Sequence, residues 1–222
     1  MKKSAFVLSC CVIALSATSA SAAGMYVSGK LGLSVPPTLT LSGNDYWGTW
    51  ADDISFNTGM AINAAFGYDF DNFRAEAEIG YQKNNFDKTD WQETDRFGNY
   101  SRGTGSFADG DMTSTSFFAN GYYDFKNKSP FVPYLGAGIG YAIIKLNDVK
   151  SGPWDNYPYN NDDGVFAYQV MAGVSYVINK TVAIDLSYRY VGASDPSFDD
   201  FAGKTDFEFS SHNFLLGARV NF

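Results

Sequence analysis

The stretch Phe73-Arg74-Ala75-Glu76-Ala77-Glu78-Ile79-Gly80-Tyr81-Gln82 sets the reading of the whole chain. Side chains of a β-strand point alternately to opposite faces. One face here carries Phe73, Ala75, Ala77, Ile79 and Tyr81, and the other carries Arg74, Glu76, Glu78 and Gln82. The segment is therefore a strand between an apolar and a highly charged environment. Val182 to Tyr190 repeats the pattern, with Val182, Ile184, Leu186, Tyr188 and Tyr190 against Ala183, Asp185, Ser187 and Arg189. So does the C-terminus, where Phe214, Leu216, Ala218, Val220 and Phe222 oppose Asn213, Leu215, Gly217, Arg219 and Asn221.

Five further segments alternate with less contrast: Met25 to Val35, Phe56 to Tyr68, Thr113 to Phe125, Phe131 to Leu146 and Val165 to Val177. Phe118 interrupts the polar face of the third. Gln169, Gly173 and Ser175 form the polar face of the last. In Phe131 to Leu146 the face opposite Leu135, Ile139 and Tyr141 is Gly136, Gly138 and Gly140, which leaves room for long neighbouring side chains or marks a bend. Globular strands average about five or six residues, whereas a tilted strand needs about 9–11 to cross a bilayer. Eight long alternating segments predict an all-β fold, an eight-stranded antiparallel up-and-down transmembrane β-barrel.

The connections support this. Asp69 to Asn72, Lys126 to Pro130 and Ile178 to Thr181 are tight turns rich in Asn, Asp and Lys. Pro36 to Ser55, Asn84 to Met112, Asn147 to Gly164 and Gly192 to Asp206 are long. Short turns at one end and long loops at the other are the pattern of outer-membrane barrels, whose short turns are periplasmic and whose four long loops here would be extracellular. A soluble β-sandwich would instead place turns at steady spacing at both ends. The chain holds 15 Tyr, 19 Phe and 4 Trp. Many sit near strand ends: Tyr26, Phe56, Tyr68, Phe73, Tyr81, Tyr123, Phe125, Tyr141, Phe166, Tyr176, Tyr188, Tyr190 and Phe222. Amphipathic rings favour the membrane–water boundary, so these are read as two girdles.

The N-terminus carries different information. Lys2 and Lys3, the apolar run from Ala5 to Ala17 and Ala20-Ser21-Ala22 have the order of a secretory signal peptide. Residues 1–22 are expected to be cleaved, leaving 23–222 as the barrel. Cys10 and Cys11 both fall in the removed segment, and too little apolar sequence precedes Cys10 for a lipoprotein anchor. The whole chain has a net charge of −8, and losing the two lysines makes it −10. Such a balance excludes nucleic acid as a partner, because phosphates demand a basic surface.

The segments Pro133 to Tyr141, Phe166 to Tyr176, Asp185 to Tyr190 and His212 to Phe222 resemble the small outer-membrane β-barrels of the opacity-type porin family, related to surface antigens of intracellular α-proteobacteria. Gly24 to Lys30 looks like the first strand of those antigens. The resemblance implies a Gram-negative cell outer membrane, contact with its lipid and lipopolysaccharide, and a monomer. It also implies that Phe222, an aromatic at the last position, forms part of the signal read by the barrel-assembly machinery. The function it implies is that of a surface antigen whose loops meet host surface molecules or a neighbouring cell. A narrow, non-specific porin is the alternative, and a lipid-A-modifying enzyme a second one.

The candidate site residues follow from the two ends of such a barrel. An eight-stranded lumen is just wide enough to be filled by its own side chains. Arg74, Glu76, Glu78, Gln169, Asp185, Arg189 and Arg219 are predicted to point inward, where charges are tolerable only if paired. Glu76 and Glu78 are expected to pair with Arg219, Arg189 or Arg74. In the loops, Trp47, Trp50, Trp91 and Trp154 are recognition candidates, because rigid aromatics give large contact area at low entropic cost. Asp52-Asp53, Asp162-Asp163 and Asp199-Asp200 are acidic clusters, none with the spacing of a Ca²⁺ loop. Ser-His hydrolase chemistry needs a nucleophile within reach of a base. The single histidine, His212, shares a face with Ser210, and that face points to lipid. No enzyme activity, cofactor or metal is expected.

Overall fold

The computed structural model describes residues 24–106, 109–150, 159–194, 197–200, 203–206 and 209–222. The segment expected to be cleaved lies outside them, as does Trp154. Thirteen strands are present among the described residues: β1 Met25–Val35, β2 Leu39–Asp45, β3 Gly48–Phe56, β4 Gly59–Asp69, β5 Phe73–Asp95, β6 Tyr100–Ser106, β7 Asp109–Asp124, β8 Phe131–Lys150, β9 Tyr159–Val177, β10 Val182–Ala193, β11 Ser197–Asp200, β12 Gly203–Asp206 and β13 Phe209–Asn221. Eight of them form a closed antiparallel ring: β1, β4, β5, β7, β8, β9, β10 and β13, which returns to β1. The seam sets Tyr26 opposite Asn221 and Val35 opposite His212. A closed ring leaves no unpaired strand edge in the bilayer, where an unsatisfied backbone group would cost several kcal/mol.

The eight ring strands coincide with the eight alternating segments, and the alternation has the expected sense. Leu31, Leu33, Phe66, Ile79, Leu135, Ile139, Leu186 and Leu216 lie on the outside, while Arg74, Glu76, Glu78, Asp185, Arg189 and Arg219 are buried inside. In a bilayer this is the favourable arrangement, since the apolar face meets lipid.

Three tight turns join the ring at one end. Asp71 takes a positive φ of 79°, and its N–H donates to the Asp69 carboxylate at 2.8 Å. Asn179 uses its side-chain oxygen to accept from the backbone of Thr181 and Val182. These turns need no contribution from the lumen, which is why short polar sequences suffice there.

The other end departs from the sequence reading. The segments expected to be loops are largely strand. β5 runs on to Asp95, 13 residues past Gln82, and its upper part pairs with β3 on one side and β6 on the other. β2 completes this upper sheet by pairing with β3, and β11 pairs with β12 in a separate hairpin. The period-2 signal fades here for a physical reason. Above the membrane both faces are wet, so backbone pairing continues without an apolar stripe to mark it.

Candidate functional sites in the lumen and the upper sheet

Eight charged residues are buried among the described residues, and all face the lumen: Lys30, Arg74, Arg189 and Arg219 against Glu76, Glu78, Asp124 and Asp185. Their formal charges cancel. Toward the short-turn end, Arg74 donates Nε and Nη2 to the two oxygens of Asp124, at 2.8 and 2.9 Å. Glu76 lies 3.7 Å from Arg74 and 3.9 Å from Lys30. It also accepts from the hydroxyls of Tyr26 (2.9 Å) and Tyr122 (2.8 Å). One level up, Arg189 donates both terminal nitrogens to Glu78, at 2.6 and 2.8 Å. Such two-pronged contacts are the strong form of the ion pair. Gln169 donates to Asn120 at 2.6 Å beside this pair.

The expected pairing of Glu76 and Glu78 with arginine is met by Arg74 and Arg189, but not by Arg219. Arg219 faces the Tyr26 ring at 5.4 Å and the Ser175 hydroxyl at 3.5 Å, while Ser175 donates to Asp185. Arg219 is the cross-strand neighbour of Ser28 and Ala183, and its guanidinium is taken up by Tyr26 and Ser175 there. Tyr26 is a second correction, since it belongs to the lumen and not to a girdle: it is fully buried. Phe56 likewise packs on the apolar cluster described below. Sequence reasoning left Lys30 and Asp124 out of the inward set. The parity of β1 and β7 was the signal that could have placed them there.

The three glycines of β8 serve these side chains. A Cβ on Gly136 would meet the Tyr122 ring at 2.4 Å, and one on Gly138 would meet Asn120 Oδ1 at 2.0 Å. One on Gly140 would press on Phe118 at 2.8 Å and on the Phe117 carbonyl. Large residues of β7 thus lie over bare backbone of β8, so large and small alternate and the lumen fills.

Two layers close the lumen toward the long-loop end. Ser34, Gln82, Asn84, Ser211 and Asn213 form a buried hydrogen-bonded net, in which Ser34 donates to Asn84 at 2.9 Å and Gln82 to Ser211 at 3.1 Å. Beside it lies an apolar plug of Met112, Phe118, Ala142, Ile144, Val165, Ala167, Val191, Ala193 and Phe209. Phe118, which broke the polar pattern of its segment, is one of its members.

The upper sheet presents the loop aromatics. Trp50 lies flat on Gly43, where a Cβ would come within 2.6 Å of the indole, and Trp91 lies in the same way on Gly103. At the tip, the Arg96 guanidinium sits 5.2 Å from the Tyr46 ring, 5.2 Å from Trp47 and 4.8 Å from Phe97. Asp95 organises the turn that follows. Its carboxylate accepts from the backbone of Phe97 and Asn99 and from the Asn99 amide, at 2.8–2.9 Å. Those bonds, the Asn99 amide foremost, hold its pKa below the usual carboxylate range.

The model of the outer membrane protein beta-barrel domain family matches residues 4–222. The chain belongs to this family. It is 30% identical over 241 residues to the outer membrane protein PagN of Salmonella typhimurium, covering 95% of each. It is 28% identical over 181 residues to a putative adhesin of Rickettsia conorii, covering 76% of this chain and 70% of that one. Among solved structures, the crystal structure of Neisserial surface protein A matches with a TM-score of 0.55 at 20% identity, covering 90% of this chain and 97% of the other. That of the outer membrane protease OmpT from Escherichia coli matches with a TM-score of 0.58 at 12% identity, covering 90% and 97%. At those identities the likeness concerns the fold alone. The protein is an integral outer-membrane barrel, and its upper sheet lies on the extracellular side.

Within this barrel family member, His212 faces outward and its Nδ1 lies 2.8 Å from the Tyr188 hydroxyl. Ser211 points into the lumen, where it bonds Ser34, Gln82 and Asn213. Among the described residues, no three His, Cys, Asp or Glu side chains gather in a way that could hold a metal ion. At the seam, the Phe222 N–H donates to the Met25 carbonyl at 3.0 Å, tying the last residue to the first strand.

Proposed function

We propose that this barrel is a non-conducting, non-enzymatic surface protein whose extracellular sheet makes contact with a host or a neighbouring cell. The observation that carries the reading is the contrast between its two ends. The lumen is filled by charges that cancel in sum, a polar net and an apolar plug, whereas aromatic side chains stand exposed on strands that continue beyond the bilayer. A pore needs an open file of water, and an eight-stranded lumen filled in this way has no room for one. The similarity to a putative adhesin of Rickettsia conorii supports contact as the role. Phe222 acts as part of the assembly signal, and Trp47, Trp50 and Trp91 act as contact residues.

The test has two arms. Refolded residues 23–222 in a planar bilayer should show no single-channel steps while remaining heat-modifiable on gels. Stable steps that grow on Glu78→Gln or Arg219→Met would replace this reading with a gated pore. Cells displaying the barrel should attach to host or neighbouring cells, and removal of residues 39–55 together with 86–104 should abolish attachment. His212→Ala should leave the lipid A mass spectrum unchanged.

A further inference from the structure

The upper sheet has two faces of opposite character. Cross-strand register puts Gly43 beside Trp50, Trp50 beside Glu93, Asp52 beside Trp91, and Trp91 beside Gly103. Alternation along β3 and β5 then gathers Trp50, Asp52, Trp91 and Glu93 on one face. No lysine or arginine of the paired stretches shares that face. Both indoles lie against glycine backbone, with 38% and 40% of their surface exposed, so each turns a free ring face outward. On the other face, the carboxylates are already engaged. Asp53 accepts from Thr40 at 2.6 Å, and Asp90 accepts from Thr104 at 2.5 Å and lies 3.4 Å from Lys88.

We propose that the face bearing Trp50, Asp52, Trp91 and Glu93 binds a basic segment of a partner protein, with its arginine or lysine side chains over the indoles and beside the two carboxylates. A cation within about 6 Å of an indole face is attracted by the ring quadrupole, and tryptophan is the best of the aromatics for this. The chain uses the same chemistry nearby, where its own Arg96 covers Tyr46, Trp47 and Phe97. The Trp50–Trp91 face offers rings and carboxylates without an internal cation. The long-range field agrees. The four connections 36–55, 84–112, 147–164 and 192–206 carry seventeen Asp and Glu against five Lys and Arg, a net charge of −12. Such a field steers cations toward the sheet and repels polyanions.

This inference rests on the reading of the upper sheet as a contact surface. The full mature chain, refolded in detergent micelles and checked for heat-modifiability, is titrated with a fluorescent nona-arginine peptide. W50L/W91L and D52N/E93Q should each weaken binding by about tenfold, a change of about 1.4 kcal/mol. D53N/D90N, which removes the same charge from the opposite face, should change it less than about twofold. Equal losses from the two charge pairs would reduce the effect to diffuse attraction and overturn the site. So would binding that survives W50L/W91L, or a neutral oligosaccharide that binds through the indoles while the peptide does not. If the peptide fails to bind but displaying cells still attach through the upper sheet, this face falls and the surface role stands. If attachment also survives loss of both hairpins, the surface role falls with it.

Discussion

Inside the bilayer and above it, the same strands live under different rules. Within the ring, each residue of β5 from Arg74 to Gln82 has its orientation fixed, because one side is lipid and the other a packed lumen. Beyond Asn84, β5 continues for eleven residues between β3 and β6 with water on both faces. Burial binds sequence to structure tightly in the first region. In the second, backbone pairing and a few aromatic-on-glycine contacts hold the sheet, and the sequence is free to serve recognition.

The sharpest way to break this comparison is at Arg189. Arg189→Met leaves Glu78 as a buried carboxylate without its two-pronged partner, and breaking a buried pair in this way costs about 3–5 kcal/mol. Urea unfolding in lipid vesicles should show a loss of that order, and Glu78→Gln added to it should recover part. An unchanged midpoint would mean that water reaches the lumen and that it is not packed. Next comes Gly138→Ala, whose Cβ would collide with Asn120 Oδ1. Overpacking of this kind costs about 1–3 kcal/mol. Removing Asn120 as well, in G138A/N120A, should relieve it. In the upper sheet the expectation reverses. Trp50→Leu and Trp91→Leu together should move the unfolding midpoint of the barrel by less than about 0.5 kcal/mol, as surface changes usually do. The smallest effect is local and depends on pH. Asp95 has a depressed pKa, so its contribution to the tip is fully present above the ordinary carboxylate range and is lost as pH falls through its folded value. NMR amide signals of Phe97 and Asn99 should shift together as pH falls below the ordinary carboxylate range, and Asp95→Asn should abolish that acid step without altering the ring.

These differences explain what could be read from the sequence. The eight ring strands and the inward set were legible because lipid outside and charge inside impose a period of two. Within the lumen, Glu78 and Arg189 could be recognised as partners in kind, yet Arg219 could not be excluded, because its height depends on the stagger between strands and no local pattern records stagger. Lys30 stands on the polar face of Met25 to Val35, with Tyr26, Ser28 and Ser34, and that parity alone was enough to place it inside. Phe118 read as a blemish and is part of the plug. The upper sheet was not legible as strand, since no sustained apolar stripe runs along it. Its tryptophans stood out by residue type, but their glycine partners Gly43 and Gly103 lie on other strands and are visible only once the register is known.

The Glu78–Arg189 pair joins residues 111 positions apart, and Arg74 and Asp124 are 50 apart. A chain that stopped before β10 would therefore hold Glu78 without its counter-ion, and no seam partner for β1. The lumen thus acts as a test of completeness. Only a chain that includes β10 and β13 neutralises its own interior and closes its ring; a shorter one leaves a buried charge uncompensated and two strand edges unpaired.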